Sequence, residues 1–253
     1  PEEALKETKN TQPAIVSMSL ILTKLLEAKG VKPDYVAGHS VGEYAAFGAA
    51  GYLSTEDTVK LTSARGKFMN DTAVKVNGGM AAIIGLDSEK IKEVLTNVEG
   101  IVEAVNFNEP NQTVIAGQKD AIERACTALK EAGARRAMPL AVSGPFHSSL
   151  MKEAGEKLKE EAEKYTFQMT DVKLVANTTA DTLNSIEDIK NEIYAQSFGP
   201  VKWVDTVKKL KSEGVTKIYE IGPGKVLAGL VKKIDKEIEI KNIEKLEDLE
   251  NLM

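Results

Sequence analysis

The sequence contains only one cysteine, two histidines and one tryptophan. Cys126 cannot form a disulfide within the chain, which suits a reducing compartment. It lies in a helical pattern with no activating cation, so we expect a buried structural thiol. No apolar run approaches the ~20 residues that span a bilayer, and the first residues show no secretory pattern. These absences lead us to expect a cytoplasmic protein.

The chain also lacks an excess of positive charge. Its formal net charge is −5 over 253 residues, with 42% hydrophobic and 28% charged residues. This balance is ordinary for a soluble globular protein and gives no reason to expect nucleic acid or a membrane as partner. The length allows one large domain or one domain with an insertion.

Two segments, 1–76 and 144–253, alternate helical patterns with short apolar strands. This alternation predicts a parallel sheet covered by helices, which would form a large α/β catalytic subdomain. The strands are predicted at residues 34–38, 174–177, 217–221 and 238–240. The predicted helices between them include one from about residue 147 to residue 165 and one at residues 226–234. Ser54 is predicted to cap the helix that carries Arg65, because Asp57 follows three residues later.

Residues 77–143 show a different order of predicted strands and helices. Their pattern reads strand, helix, strand, strand, helix, strand, with a turn at residues 108–111 between the two central strands. This order is typical of a ferredoxin-like unit. We therefore predict a ferredoxin-like small subdomain inserted into an α/β core.

Ser40 stands at the centre of a G-x-S-x-G pentapeptide, residues 38–42, directly after a short apolar strand. In a nucleophile elbow, a strand enters a tight turn and a helix then begins, with its N–H groups facing the site of attack. The small residues that follow favour this interpretation and an α/β-hydrolase-like core. The alternative is a glycine-rich turn in which the serine only caps a helix.

A serine nucleophile needs a general base, and the chain offers two histidines. His39 is the immediate neighbour of Ser40, so in an extended approach its side chain points away. His147 remains as the candidate base. The pair makes acyl chemistry the leading hypothesis.

The elbow Gly-His-Ser-Val-Gly-Glu, residues 38–43, resembles that of the malonyl-CoA:acyl carrier protein transacylases. These enzymes belong to the acyltransferase family, which also provides domains to polyketide and fatty-acid synthases. Further blocks resemble the family in the same order and extend the resemblance over essentially the whole chain. They are residues 64–69, 79–83, 105–110, 142–148, 196–203 and 220–224.

The resemblance implies a malonyl transfer through an acyl-serine, with Ser40 as nucleophile and His147 as base. It also implies that the backbone carbonyl of Gln196, rather than a carboxylate, orients the histidine. Without the resemblance, Gln196 would be interpreted as a polar residue at a helix end. The N–H of Val41 would belong to the oxyanion hole.

The resemblance assigns Arg65 to the free carboxylate of malonyl, which a guanidinium matches in geometry. Without it, a surface arginine would be the simpler interpretation. Phe146 resembles the residue that restricts space beside the acyl group. Asn106 and Asn108 are candidate contacts to the thioester or pantetheine, although both could serve only the hairpin.

The family usually begins with a strand and a G-Q-G-x-Q loop upstream of the first residue here. We expect the natural protein to have this segment, because a sheet without an inner strand exposes apolar surface and unpaired backbone. No cofactor or metal is expected. The expected partners are coenzyme A thioesters and acyl carrier protein, and the expected state is a monomer. Rival hypotheses are a serine esterase and a catalytically impaired scaffold.

Overall fold

The computed structural model describes residues 2–250 and has a mixed α/β fold. The helices are α1 (Glu2–Lys6), α2 (Thr8–Ala28), α3 (Gly42–Ala49), α4 (Thr55–Ala73), α5 (Ser88–Leu95), α6 (Lys119–Glu131), α7 (Lys152–Ala162), α8 (Ile186–Gln196), α9 (Trp203–Ser212), α10 (Val226–Ile234) and α11 (Leu246–Glu250). The strands are β1 (Tyr35–Val36), β2 (Gly78–Ile84), β3 (Val102–Glu109), β4 (Gln112–Gln118), β5 (Arg136–Pro139), β6 (Lys173–Leu174), β7 (Lys217–Ile221) and β8 (Glu239–Ile243). No helix within this range is long and apolar enough to cross a membrane.

The parallel strands form two separate pairs. Strand β1 pairs with β6, and β7 pairs with β8, each in parallel register. Between the pairs lies a cavity of about 960 Å³, lined by residues of β1, β7 and the helices around them. The strands therefore pair in parallel, as predicted, and the cavity separates β1 from β7. Strands β1 and β6 are also shorter than predicted, with two residues each.

The segment between α4 and α7 forms a four-stranded antiparallel sheet in the order β3-β4-β2-β5. Helices α5 and α6 cover one face of this sheet and bury a common apolar cluster that includes Cys126. The hairpin between β3 and β4 is tighter than predicted, because both strands extend to Glu109 and Gln112.

Helices α2, α3 and α4 pack around the principal core, which includes Phe47, Leu61 and Leu174. The side chain of Ser54 accepts a hydrogen bond from the N–H of Asp57 at 3.0 Å, so the predicted cap of α4 is confirmed. The helix predicted from residue 147 begins later, with a 3₁₀ turn at Ser149–Met151 before α7. A left-handed residue at position 147 prevents an earlier start.

Candidate active site

The turn between β1 and α3 holds Ser40 in a strained backbone conformation. Its φ is 53°, a left-handed value that non-glycine residues seldom adopt. At Gly38 a Cβ would lie 2.0 Å from the carbonyl carbon of Gly42, so the turn cannot close around a larger residue there. This tight turn presents the serine at the carboxyl end of β1, ahead of the N-terminus of α3.

His147 faces Ser40. The Nε2 of His147 lies 2.7 Å from the Oγ of Ser40, and its Nδ1 lies 2.8 Å from the backbone oxygen of Gln196. Gln196 is the last residue of α8, so its backbone carbonyl receives no N–H from within the helix and can accept from His147. Because a carbonyl oxygen only accepts, the imidazole proton sits on Nδ1, and Nε2 is free to accept the serine proton.

The environment of His147 favours the neutral imidazole. Burial, and after it the nearby positive charge of Arg65, lower the pKa of His147 to about 3. The ring therefore stays uncharged at neutral pH and is ready to act as a proton acceptor.

His39 does not face the serine. Its Nε2 lies 2.7 Å from the Oδ1 of Asn108, and its ring packs edge-on against Trp203 with centroids 5.8 Å apart. An amide oxygen only accepts, so Nε2 of His39 carries a proton and donates to Asn108. His39 thus fixes the neighbouring strand β3 instead of pairing with the nucleophile.

Arg65 is buried beside the nucleophile, with a side chain only 1% exposed. Its guanidinium donates to the Oγ of Ser40 at 3.1 Å and to the Oε1 of Gln12 at 2.6 Å. It also donates twice to the Oε1 of Gln196, from Nε at 3.2 Å and from Nη2 at 2.8 Å. The guanidinium lies over the ring of Tyr44, 5.1 Å from its centroid.

The charge of Arg65 has no carboxylate partner within ion-pair distance among residues 2–250. Every contact named above is to a neutral group. Burial accordingly lowers the pKa of Arg65, although a guanidinium stays protonated in proteins. A buried cation without an anion is costly, so the arrangement suits an anionic group that arrives from outside.

The other predicted residues surround this centre less closely. Asn106 is buried, and its Oδ1 has no hydrogen-bond partner within residues 2–250. Asn108 is held by His39, as described above. Phe146 is half-buried and packs against apolar groups of both the helical and the sheet part, including Met69 and Val105. The N–H of Val41, at the start of α3, makes no hydrogen bond within the described chain.

Two residues in the site escaped the sequence analysis. Asn177 accepts from the N–H of Ser40 at 2.8 Å through its Oδ1 and donates to the carbonyl of Gly38 through its amide. Its place after an apolar strand, at the carboxyl end of β6, was the available signal. Gln12 interrupts the apolar face of α2, and a buried polar residue in such a face needs a partner.

A serine whose hydroxyl faces a neutral imidazole, at the carboxyl end of a parallel strand, is the arrangement of enzymes that carry acyl groups on serine. Residues 1–247 match the family model described as "Acyl transferase domain". The chain belongs to this acyltransferase family.

Two individual proteins that are similar to this chain are malonyltransferases. The malonyl CoA-acyl carrier protein transacylase of Bacillus subtilis is 45% identical over 239 residues, which are 93% of this chain and 75% of that protein. A crystal structure of an acyl carrier protein S-malonyltransferase from Vibrio cholerae superposes with a TM-score of 0.96 at 39% identity. The match covers 100% of this chain and 84% of that one.

A second similar structure is a complex of a malonyl-transacylase with a type II PKS acyl-carrier protein. It has a TM-score of 0.95 and 40% identity, covering 99% of this chain and 82% of that one.

Proposed function

We propose that this chain is an acyltransferase that moves the malonyl group of malonyl-CoA to the phosphopantetheine thiol of acyl carrier protein, for fatty acid biosynthesis. The observation that carries the proposal is the buried, unpaired charge of Arg65 next to the nucleophile. An esterase for neutral esters would instead surround its serine with apolar groups. The relatives named above support the same activity.

Ser40 forms the acyl intermediate. Its Oγ attacks the thioester carbonyl carbon while its proton passes to Nε2 of His147, a path that the 2.7 Å separation supports. The C–S bond then breaks, and the sulfur of coenzyme A leaves with the proton. In the second half, the carrier thiol gives its proton to His147 and attacks the malonyl-serine, and Ser40 leaves as the alcohol.

Several neighbours stabilise this reaction. The carbonyl of Gln196 holds the tautomer of His147, and the free N–H of Val41 donates to the oxyanion. Arg65 pairs with the malonyl carboxylate and thereby offsets the field that depresses the basicity of His147. Asn106 contacts the thioester or pantetheine, and its unpartnered oxygen accepts from an amide N–H of pantetheine. Asn108 shapes the same wall through His39. Phe146 limits the space beside the α-carbon.

We also propose that the chain consists of two subdomains. Residues 1–76 and 144–253 form a large catalytic subdomain with an α/β-hydrolase-like core, which the parallel pairs and the strand–serine–helix turn support. Residues 77–143 form a ferredoxin-like small subdomain, supported by the sheet order β3-β4-β2-β5. Val201 joins the two parts, because its carbonyl accepts from Phe107 and its N–H donates to Val105.

The partners follow from the chemistry. Coenzyme A thioester is the donor and acyl carrier protein the acceptor, and serine and histidine suffice for the transfer without a cofactor. We place the reaction in a reducing cytoplasm, which the free thiol of Cys126 supports. We propose that the protein acts as a monomer, since Ser40, His147, Arg65 and Gln196 contact one another directly within the same chain.

Intact-mass labelling tests the function. Incubation with malonyl-CoA should add one malonyl group, and peptide mapping should place it on Ser40. Ser40→Ala should abolish the label, whereas Ser212→Ala, at an exposed serine that bonds only to the carbonyl of Lys209, should retain it. A label that persists in Ser40→Ala would refute the assignment. Hydrolysis of neutral esters without malonyl labelling would favour the esterase hypothesis.

A further inference from the structure

Two glutamates with no role in the proposed transfer are buried behind the site. Glu43, three residues after the nucleophile, is 0% exposed, and Glu192 of α8 is 3% exposed. Glu43 accepts from the N–H of Asn177 at 2.8 Å, and Glu192 accepts from the N–H of Thr178 at 3.0 Å. The two carboxyls accept from consecutive backbone N–H groups and lie within hydrogen-bond reach of each other. Neither forms an ion pair within the described residues.

The pair connects to the active site through the side-chain amide of Gln196. The Nε2 of Gln196 donates to Glu43 Oε2 and to the backbone oxygen of Ser40, both at 2.7 Å. The Oε1 of Gln196 receives two donors from Arg65. Because an amide has one donor end and one acceptor end, the acceptor at Glu43 decides that the oxygen faces Arg65.

We propose that Glu43 and Glu192 share one proton and act as positioning residues, which lock the amide of Gln196 and thereby aim Arg65 at the substrate carboxylate. This inference rests on the proposed function and extends it to residues that touch neither substrate nor nucleophile hydroxyl. Two adjacent buried carboxylates cannot both ionise without a cation, so the pair holds a proton between them.

The ionisation of the pair agrees with this geometry. Burial raises the pKa of Glu43 well above its usual range, and the neighbouring charge of Glu192 raises it further. Burial also raises the pKa of Glu192, against the hydrogen bonds it receives from Thr178. Arg65 of α4 and Tyr44 of α3 are the other ionisable groups near Glu43, and both also feel its charge.

Glu43→Gln is the decisive substitution. Glu43 receives one donor on each oxygen, whereas glutamine has a single acceptor oxygen. Either the N–H of Asn177 loses its acceptor, or the amide of Gln196 turns over and presents its NH₂ to the guanidinium of Arg65. In the second case the NH₂ of Gln196 and the guanidinium of Arg65 are two donors that face each other, so Arg65 must move.

Glu220→Gln is a matched control. Glu220 also receives one N–H on each carboxylate oxygen, from Leu227 at 2.9 Å and from Ala228 at 2.7 Å. It caps α10 and is not among the hydrogen-bond partners of the Gln196 side chain. The same chemical change there loses an acceptor without disturbing Arg65.

The test measures kcat and KM for malonyl-CoA and acetyl-CoA in wild type and both variants. Glu43→Gln should lower the malonyl-to-acetyl ratio of kcat/KM at least tenfold, mainly through a higher KM for malonyl-CoA. Glu220→Gln should leave this ratio within twofold. An equal fall for both substrates in Glu43→Gln, or an equal change of the ratio in the control, would overturn the inference.

A second measurement needs no turnover and separates this inference from the proposed function. In nitrogen-15 NMR spectra, the Arg65 Nε–H should be slow to exchange in wild type and fast in Glu43→Gln. Carbon-13 spectra of wild type should show one proton shared by the Glu43 and Glu192 carboxyls at neutral pH. An unchanged Arg65 signal in the variant, or two fully ionised carboxyls, would overturn the inference even if malonyl transfer is observed. If wild type transfers no malonyl, the proposed function fails and the spectra still decide the positioning role.

Discussion

Burial of the Arg65 charge destabilises the folded protein, and its hydrogen bonds to neutral groups offset only part of this cost. A buried guanidinium loses its hydration, and its partners here are the amides of Gln12 and Gln196 and the hydroxyl of Ser40. A binding partner with a carboxylate would offset this loss through a charge-assisted pair. The residue therefore makes sense as a preformed half of an ion pair.

Replacing Arg65 by alanine should remove the preference for an acid-bearing acyl group. The lost pair is worth ~1.5–3 kcal/mol, so malonyl transfer should fall by about tenfold or more. Acetyl transfer should not fall in parallel, because acetyl has no carboxylate to lose. The measurement is kcat/KM for both thioesters, with Lys67→Ala as control, since Lys67 is exposed and forms a surface ion pair with Asp71. Equal losses for both substrates would make Arg65 a structural residue.

His147 should make stability depend on pH. Its folded pKa of about 3 lies below the unfolded value of ~6.5, so between these values the unfolded chain binds more protons. The free energy of unfolding should therefore fall as pH drops through this window, by about 2 kcal/mol between pH 7 and pH 5 from this residue. Urea unfolding of wild type and His147→Gln at both pH values measures it.

The raised pKa values of Glu43 and Glu192 change the free energy of unfolding in the opposite direction. A carboxyl that holds its proton more tightly in the folded state makes the protein more stable as pH falls. They are unchanged in His147→Gln, so only the difference between the two proteins reports on His147. A loss between pH 7 and pH 5 that is equal in both proteins would contradict the depressed pKa.

At this scale the sequence was informative about Ser40 and His147 because the chain has so few histidines. The side-chain role of Gln196 could not be predicted, since the two ends of an amide are distinguished only by partners brought together in three dimensions. The same applies to Glu43, whose position in the elbow suggests a helix N-terminus and not a buried carboxyl pair.

At the scale of elements, the two glycines of the turn between β1 and α3 differ in the space around them. A Cβ at Gly38 would meet the backbone of Gly42 at 2.0 Å, whereas a Cβ at Gly42 would find no atom within 4 Å. Gly42 also begins a helix without a positive φ, and at such a position alanine stabilises by ~0.4–1 kcal/mol because it restricts the unfolded chain. The pentapeptide therefore requires glycine for steric reasons only at its first position.

Gly38→Ala should prevent the turn from closing and abolish malonyl labelling of Ser40, with a clear loss of thermal stability. Gly42→Ala should fold with an unchanged or slightly higher Tm. Calorimetry on both variants checks the contrast, and circular dichroism confirms secondary structure. Equal destabilisation by the two substitutions would show that the turn is not limited by the contact at Gly38.

Elements were predictable where local signals agree. The α4 cap at Ser54, strand β7 and helix α10 have the predicted positions, because each combines a regular apolar period with a clear start or stop. The long helix expected from residue 147 was wrong in its start, since the left-handed backbone of His147 depends on its tertiary contacts with Ser40 and α8. Helix α11 was missed, because its short apolar pattern is weak.

At the scale of the whole molecule, strand pairing was harder to predict than strand positions. Alternation of helices and strands indicated parallel pairing, and both observed parallel pairs agree with it. It could not indicate which strands are neighbours, because hydrogen-bond partners are remote in sequence. Among residues 2–250, one edge of β1 and one edge of β7 face the cavity of about 960 Å³ and have no hydrogen-bonded strand.

Hydrogen exchange should reveal this difference between the sheets. Strands β2 and β4 are hydrogen-bonded on both sides, whereas β1 and β7 each have one partner strand and an edge on the cavity. Local opening of a singly paired strand breaks fewer bonds, so amides of Tyr35–Val36 and Lys217–Ile221 should exchange faster than those of Ala81–Ile83. Mass spectrometry of deuterated peptides measures this, with α6 as a protected reference. Equal protection of all these strands would show that the cavity edges are covered in solution.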